Sequence, residues 1–361
     1  VAEHLRDEER CDVEYVGTPE GLEARLATEA GLAFHAIPAK GYDRSAPWSM
    51  VTAALTAIGS WGRCLRLLRA ARTDVVIGFG GYVSLPLGLA AAASGVPLVL
   101  HEQNAVPGMA NRFLSRWARA VCVTYPSSIE RLAHPTRACV TGNPVRAAVA
   151  TADRATGRKK LKLRKADLVL LVFGGSRGAR HLNTAVLNLY KRLKDIPKVR
   201  VVHVTGPLEF DAVRAALLEI DPKPGAFWQI HEYLDDMGDA LAAADLVVCR
   251  AGATTLAELS ILGRPAVLVP YPYATDDHQT LNAQALVHAG AALSFADAEI
   301  DGQTFGDEVV RLLADERSRT SMEAAALALS RPLAAHAVAE TAVEAAAEHM
   351  RALGRGEHEL S

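Results

Sequence analysis

The chain has 361 residues, half of them hydrophobic and 22% charged, a globular profile too long for one modest core. At roughly 150 residues per domain it suggests two. With 39 Lys and Arg against 41 Asp and Glu, bulk electrostatic coating of nucleic acid is excluded, and no nucleic-acid partner is expected. Five scattered cysteines without a C-x-x-C pair argue against a disulfide scaffold or a cysteine zinc site and suit a reducing compartment.

In chain order, residues 1–10 read as the second half of a helix and 13–16 as a strand. A parallel α/β unit normally supplies a strand and a loop before such a helix. Neither precedes Val1, so a first β-loop-α element is expected to be missing. Residues 75–100 carry no formal charge, as a membrane-spanning helix would, but Gly78, Gly80, Gly81, Pro86, Gly88, Gly95 and Pro97 punctuate the run. It reads as strand, tight loop, helix and strand. Further strands are expected at 98–100, 120–123, 168–173, 201–204, 227–230, 246–249 and 266–269. They are short, uninterrupted and rich in Val, Ile and Leu, as in parallel sheets covered on both faces. Polar, basic composition at 147–167 marks an interdomain linker. The expected division is 1–147, a linker at 148–166, a second domain at 167–335, and a closing helix at 336–361 that crosses back to the first.

The strongest local signal is FGGSRGA at 173–179. A buried strand runs into Gly174, Gly175, Ser176 and Gly178, then into a helix starting near Ala179. Glycines allow close backbone approach, and first-turn N–H groups bind anions. The same residues match G-x-S-x-G, and Ser176, Asp245 and His278 follow the chain order of an α/β-hydrolase triad, although no HGGG-type segment accompanies them. A serine hydrolase is therefore a rival reading. RAGATTLAE at 250–258 joins another strand to a helix, with Thr254 and Thr255 placed to cap it, Arg250 suited to an anion and Glu258 to sugar hydroxyls. Gln279 and Asn282 lie three apart on one helical face, suited to hydroxyls. Asp276, Asp277 and His278 are adjacent at a helix start, where side chains rarely converge on one ion, so no metal is expected.

Six stretches occur in one order: GFGGYVS at 78–84, HEQN at 101–104, GNPVR at 142–146, FGGSRGA, RAGATTLAE, and DHQTLN at 277–282. Together they resemble the MurG family of UDP-N-acetylglucosamine transferases, from the first residues to about 345. The resemblance implies a GT-B fold, two Rossmann-like doubly wound α/β domains facing a cleft. It implies inverting, cofactor-free and metal-independent transfer of GlcNAc from UDP-GlcNAc to the C4 hydroxyl of MurNAc in lipid I, giving lipid II and UDP. By the same resemblance, Gly175, Ser176, Gly178 and Arg146 face the diphosphate, and Tyr233 and Leu234 hold the uracil. Arg250, Ala253 and Thr255 line the phosphate and sugar region, Glu258 binds the ribose, and Gln279 and Asn282 grip the GlcNAc. Tyr82 and Asn104 lie on the acceptor side. The family's opening G-G-T-x-G-H loop, whose His is the usual candidate base, has no counterpart here. The base stays unassigned; His101, nearest by position, reads as structural. The alternatives are another GT-B UDP-sugar enzyme, either a transferase with a different acceptor or an epimerase, and a catalytically impaired UDP-sugar binder.

Residues 44–73 hold Arg44, Arg63, Arg66, Arg69 and Arg72 and no acidic residue, with Trp48, Met50, Leu55, Ile58 and Trp61 interleaved. Such a segment suits an anionic membrane surface. The expected location is peripheral, on the cytoplasmic face of a bacterial cell membrane.

Overall fold

The computed structural model describes residues 1–19, 22–38, 47–175 and 178–353, with backbone alone at 22, 47–55, 57 and 58. The strands are β1 (Glu14–Gly17), β2 (Ala33–Ala36), β3 (Val76–Gly78), β4 (Leu98–Glu102), β5 (Ala120–Val123), β6 (Ala138–Val140), β7 (Leu168–Phe173), β8 (Val199–Val204), β9 (Trp228–His231), β10 (Leu246–Cys249), β11 (Ala266–Leu268) and β12 (Ala292–Ser294). All ladders among them are parallel. The chain divides into two compact units, Val1–Pro144 with Leu333–Ser361, and Val145–Pro332.

In the first unit, β1 pairs with β2, and a separate sheet runs β3-β4-β5-β6. The uncharged run at 75–100 forms β3, the helix Ser84–Ser94 and β4. No helix among the described residues is long and apolar enough to cross a membrane. The helix Ala334–Ala352 lies on β4 and β5. Its Val338, Ala342 and Ala345 are buried against Val99 and Cys122. Alanines let the helix axis approach the sheet closely, and each fully buried Val contributes about 1.5–3 kcal/mol. All five cysteines are free thiols.

The second unit is a six-stranded sheet in the order β12-β11-β10-β7-β8-β9. The β7 sequence LVLLVF explains its central place. Leu170 and Val172 enter one core cluster while Val169, Leu171 and Phe173 enter the cluster on the opposite face. Period-2 alternation with apolar residues on both sides is what a two-faced core requires.

Residues 148–166 are not a free linker. They hold all but the first residue of the helix Ala147–Ala150 and the whole of the helix Arg154–Lys160, folded into the second unit. Asp153 caps the second helix, accepting from the N–H groups of Ala155 and Thr156. A Cβ on Gly157 would stand 2.1 Å from the Asp239 carbonyl oxygen, so this helix backs directly onto the helix Met237–Ala243. The basic run that looked solvated is matched by acids: Lys160 bonds Asp236 and Asp239, and Arg158 bonds Asp245. The units divide at Pro144 and again at Pro332, a few residues before the compositional boundaries.

Candidate sugar-nucleotide site

Parallel strands place all their C-terminal ends on one edge of the sheet. In an open α/β sheet, ligands bind where the order of strands reverses. In the second unit that point lies between β7, which continues to β8 and β9, and β10, which continues to β11 and β12. The loops leaving these two neighbouring strands are the Gly174–Gly178 turn and the turn from Arg250 to Gly252. The fold therefore brings the two main sequence motifs to one crevice.

The first turn is built by its glycines. Gly175 and Gly178 take φ of +93° and +79°, a region closed to most L-residues. The Gly178 N–H donates to the Gly175 carbonyl at 3.0 Å. A Cβ on Gly178 would stand 2.3 Å from the Thr205 carbonyl oxygen, whereas one on Gly175 would meet nothing within 4 Å among the described residues beyond its chain neighbours. The first glycine thus faces open space and the second is wedged against β8. Ser176 lies outside the described residues. The helix Arg180–Leu187 follows, without a side-chain N-cap, which leaves its first turn electropositive. It is anchored by Asn183, fully buried, whose amide donates to the Thr205 carbonyl at 3.1 Å and whose oxygen meets Nε2 of His203 at 3.0 Å. Burial pushes His203 down to about 3, so it is neutral.

The second turn opens the helix Ala253–Leu262, and here one expectation fails. Gly252 is the N-cap, with no side-chain cap bond. Thr254 and Thr255 lie inside the first turn and do not cap it. Ala253 is buried and Thr255 half-buried. Glu258, one turn on, has its carboxyl raised by burial, against the opposing charge of Arg146. Arg146 itself is exposed at the start of the helix Ala147–Ala150, which packs on Ala253–Leu262.

Arg250 is held more firmly than its motif implied. Its Nη1 donates to the carbonyls of Val269 (3.2 Å) and Pro270 (3.1 Å) and pairs with Asp297 at 2.6 Å. Gln279 accepts the Tyr271 N–H at 2.9 Å, and Asn282 is fully buried. Asp276 and Asp277, just before, both have φ above +50°; such strain outside glycine costs about 1–3 kcal/mol per residue and clusters at ligand-binding turns. Tyr233 is exposed after β9, while Leu234 packs on the core.

The hydrolase constellation is not assembled. Asp245 precedes β10 and gives its carboxylate to Arg154, Arg158 and the Val169 N–H at the start of β7. The Gly174 turn leaves the other end of β7, roughly 13 Å further along the strand. His278 spends Nδ1 on the Thr275 carbonyl at 2.6 Å.

The first unit has its own loop cluster, at the ends of the adjacent strands β3 and β4. Glu102, buried, accepts from the N–H groups of Asn104 (2.9 Å) and Gly108 (3.0 Å) and from the Asn111 amide (2.8 Å). Gln103 reaches across to the Phe79 carbonyl at 2.9 Å. Tyr82 is exposed beside this cluster and Asn104 half-buried within it. His101 is fully buried with Nε2 at 3.0 Å from the Gly142 carbonyl oxygen, and burial lowers its pKa against that bond. It is a neutral structural donor, as its sequence position implied.

Sequence reasoning overlooked Asn183, His181, Asp297 and the exposed side chains of the helix Met109–Leu114. A polar residue within two turns of a glycine-rich loop was the available signal for the first two. Nothing local marks Asp297.

Two Rossmann-like units of parallel α/β structure, one carrying this glycine-bounded crevice, define the GT-B class of glycosyltransferase. The glycosyltransferase family 28 N-terminal domain matches residues 1–123 and its C-terminal domain matches residues 169–340. A protein of Desulforudis audaxviator named UDP-N-acetylglucosamine–N-acetylmuramyl-(pentapeptide) pyrophosphoryl-undecaprenol N-acetylglucosamine transferase is 42% identical over 90% of this chain and 87% of its own. The crystal structure of Acinetobacter baumannii MurG superposes with a TM-score of 0.74, at 30% identity, over 95% of this chain and 94% of that one. A UDP-GlcNAc 2-epimerase from Neisseria meningitidis reaches 0.63 at 14% identity over 91% and 90%, a likeness of fold alone. The chain belongs to glycosyltransferase family 28.

Proposed function

We propose that this chain transfers GlcNAc from UDP-GlcNAc to the C4 hydroxyl of MurNAc in lipid I, giving lipid II and UDP for peptidoglycan synthesis. The observation that carries the reading is the convergence of the Gly174–Gly178 turn and the Arg250–Ala253 turn at the switch point of the second-unit sheet. Two helix starts aimed at one crevice suit a diphosphate. As the glycosidic bond breaks, negative charge grows on the departing UDP. The turn around Gly175, Ser176 and Gly178, the start of the helix at Ala253, and the cations Arg146 and Arg250 supply fixed positive potential where that charge appears. Thr255 adds a hydroxyl, Glu258 accepts from the ribose, Gln279 borders the sugar, and Tyr233 offers a flat ring to uracil beside the Leu234 backbone. The first unit, with Tyr82 and Asn104, takes the acceptor. Calorimetry with UDP-GlcNAc should show binding, and purified lipid I should be converted with release of UDP. Epimerised sugar nucleotide without acceptor consumption overturns the proposal in favour of an epimerase, and binding without turnover favours a sugar-nucleotide binder.

Lipid I is embedded in a bilayer, so the enzyme must reach a membrane surface; we place it peripherally on the cytoplasmic face. Of the segment at 44–73, Arg44 lies outside the described residues, as do the side chains of Trp48, Met50, Leu55 and Ile58. The helix Pro47–Ala70 buries Cys64 and Leu68 and exposes Arg63, Arg66, Arg69 and Trp61. A second surface supports the reading better. Met109, Phe113 and Trp117 are 56%, 42% and 45% exposed; Met109 and Phe113 line a depression of about 340 Å³ with Arg112, Arg116 and Arg131, and Trp117 meets the Phe113 ring edge-on at 5.2 Å. Arg116 stacks 5.2 Å from the Phe113 ring centroid. Aromatic rings among arginines suit the headgroup level of an anionic bilayer, each cation contributing about 1 kcal/mol. Reversing two charges, with Arg112→Glu and Arg116→Glu together, should weaken binding to phosphatidylglycerol vesicles at least tenfold in sedimentation. Unchanged sedimentation would remove this patch from the account.

A further inference from the structure

We propose that Asp297 is a positioning residue of the donor site, fixing Arg250 and the first turn of the helix Arg180–Leu187 in one arrangement. The inference rests on the donor-site reading above and adds to it residues that no motif marks. Asp297 lies beyond β12, in a turn pinned by Glu299, which accepts the Ala296 N–H at 2.9 Å. One carboxylate oxygen pairs with Nη1 of Arg250 at 2.6 Å. The other lies 2.8 Å from Nδ1 of His181, the second residue of the helix after the glycine turn. His181 in turn places Nε2 at 2.9 Å from Asp301. An imidazole with a carboxylate at each nitrogen donates on both sides only when protonated. The two hydrogen bonds, Asp297 first, raise its pKa accordingly. Asp297 and Arg250 are 16% and 11% exposed, so the pair is shielded from solvent and weakly screened.

This chain of four charges spans the switch point. It ties the end of β10 to the helix that follows β7, across the crevice that receives the diphosphate. The contacts of Arg250 with Asp297, Val269 and Pro270 all fall on Nη1. The clamp therefore fixes the guanidinium plane with one nitrogen of a five-donor fork. The Tyr271 ring, 5.8 Å from Cζ, backs the same plane. Asp297 acts through Arg250 and His181, the two side chains its carboxylate holds. Its loss should weaken donor binding before and at the transition state alike, which raises KM while leaving kcat nearly unchanged.

The test compares Asp297→Ala, the isosteric but uncharged Asp297→Asn and the charge-retaining Asp297→Glu. UDP binding is measured by calorimetry, and KM and kcat with UDP-GlcNAc and lipid I. Alanine should raise the KM for UDP-GlcNAc and the Kd for UDP about tenfold, the effect of one disturbed charge-assisted contact. Asparagine should do less, and glutamate should recover part of the loss. The proposal is overturned if Asp297→Asn, folded by circular dichroism, and Asp297→Ala both bind UDP as the parent does, or if kcat falls with KM unmoved. Failure of the unaltered protein to bind UDP would instead remove the donor-site reading, and the inference with it.

Discussion

Asp245→Ala is expected to destabilise the second unit by about 3–5 kcal/mol, the cost of leaving a buried cation without its partner. Arg158 is the reason. Its side chain is 6% exposed and its Nη2 donates to Asp245 at 2.8 Å. Its other nitrogens reach the carbonyls of Ala243, Arg164 and Lys165, which satisfy hydrogen bonds but do not neutralise charge. Asp245 also accepts the Val169 N–H at 2.7 Å, so the same carboxylate ties the basic segment to both central strands. Burial depresses the pKa of Arg158, yet a guanidinium stays charged; the uncompensated ion cannot escape by losing its proton. Urea unfolding should show the midpoint shift, and Asp245→Asn should recover only the hydrogen-bonding part. A shift under about 1 kcal/mol for alanine would mean that water reaches Arg158 and the pair is worth no more than a surface one.

That pair also shows where the sequence misleads. Arg154, Arg158, Lys159, Lys160 and Lys162 read as a solvated linker, because charge runs are usually exposed. Lys159 and Lys162 are exposed as that reading has it, but Arg154, Arg158 and Lys160 pair with Asp236, Asp239 and Asp245, about eighty residues away, and no local pattern reports a charge cancelled in three dimensions. The strands repeat the lesson. β7 and β10 carry consecutive buried aliphatics and are legible as strands. β2, β6 and β12, with sequences AFHA, ACV and ALS, were not expected; each is an edge strand in its sheet. An edge is covered less and needs fewer branched side chains, so its signal is weak. The site divides the same way. Gly175, Gly178 and Arg250 announce themselves because backbone approach and anion binding demand those residue types. His181 and Asp297, 116 residues apart, meet only because the ends of β7 and β12 share one edge of a sheet.

Gly178→Ala is expected to slow UDP-GlcNAc turnover about a hundredfold, whereas Gly175→Ala should leave a stable protein with weakened donor binding. Both positions have positive φ, so both alanines pay a backbone strain of roughly 1–2 kcal/mol. The difference is steric. At Gly178 the new methyl carbon would lie 2.3 Å from a backbone oxygen of Thr205, inside contact distance and with no flexible side chain to yield. Either the turn or the end of β8 must shift, and Asn183, which bonds that same oxygen, must shift with it. The helix start would then lose its aim at the diphosphate, and a displacement near 1 Å can cost about a hundredfold in rate. At Gly175 the methyl meets no atom of the described residues within 4 Å, its chain neighbours aside, and projects into the space assigned to the ligand. Thermal melts separate the two effects: Gly178→Ala should melt several degrees lower and lose activity, and Gly175→Ala should lose UDP affinity with a smaller change in melting. Equal behaviour of the two variants would mean that backbone strain alone governs the turn and that its open side is not where the nucleotide sits.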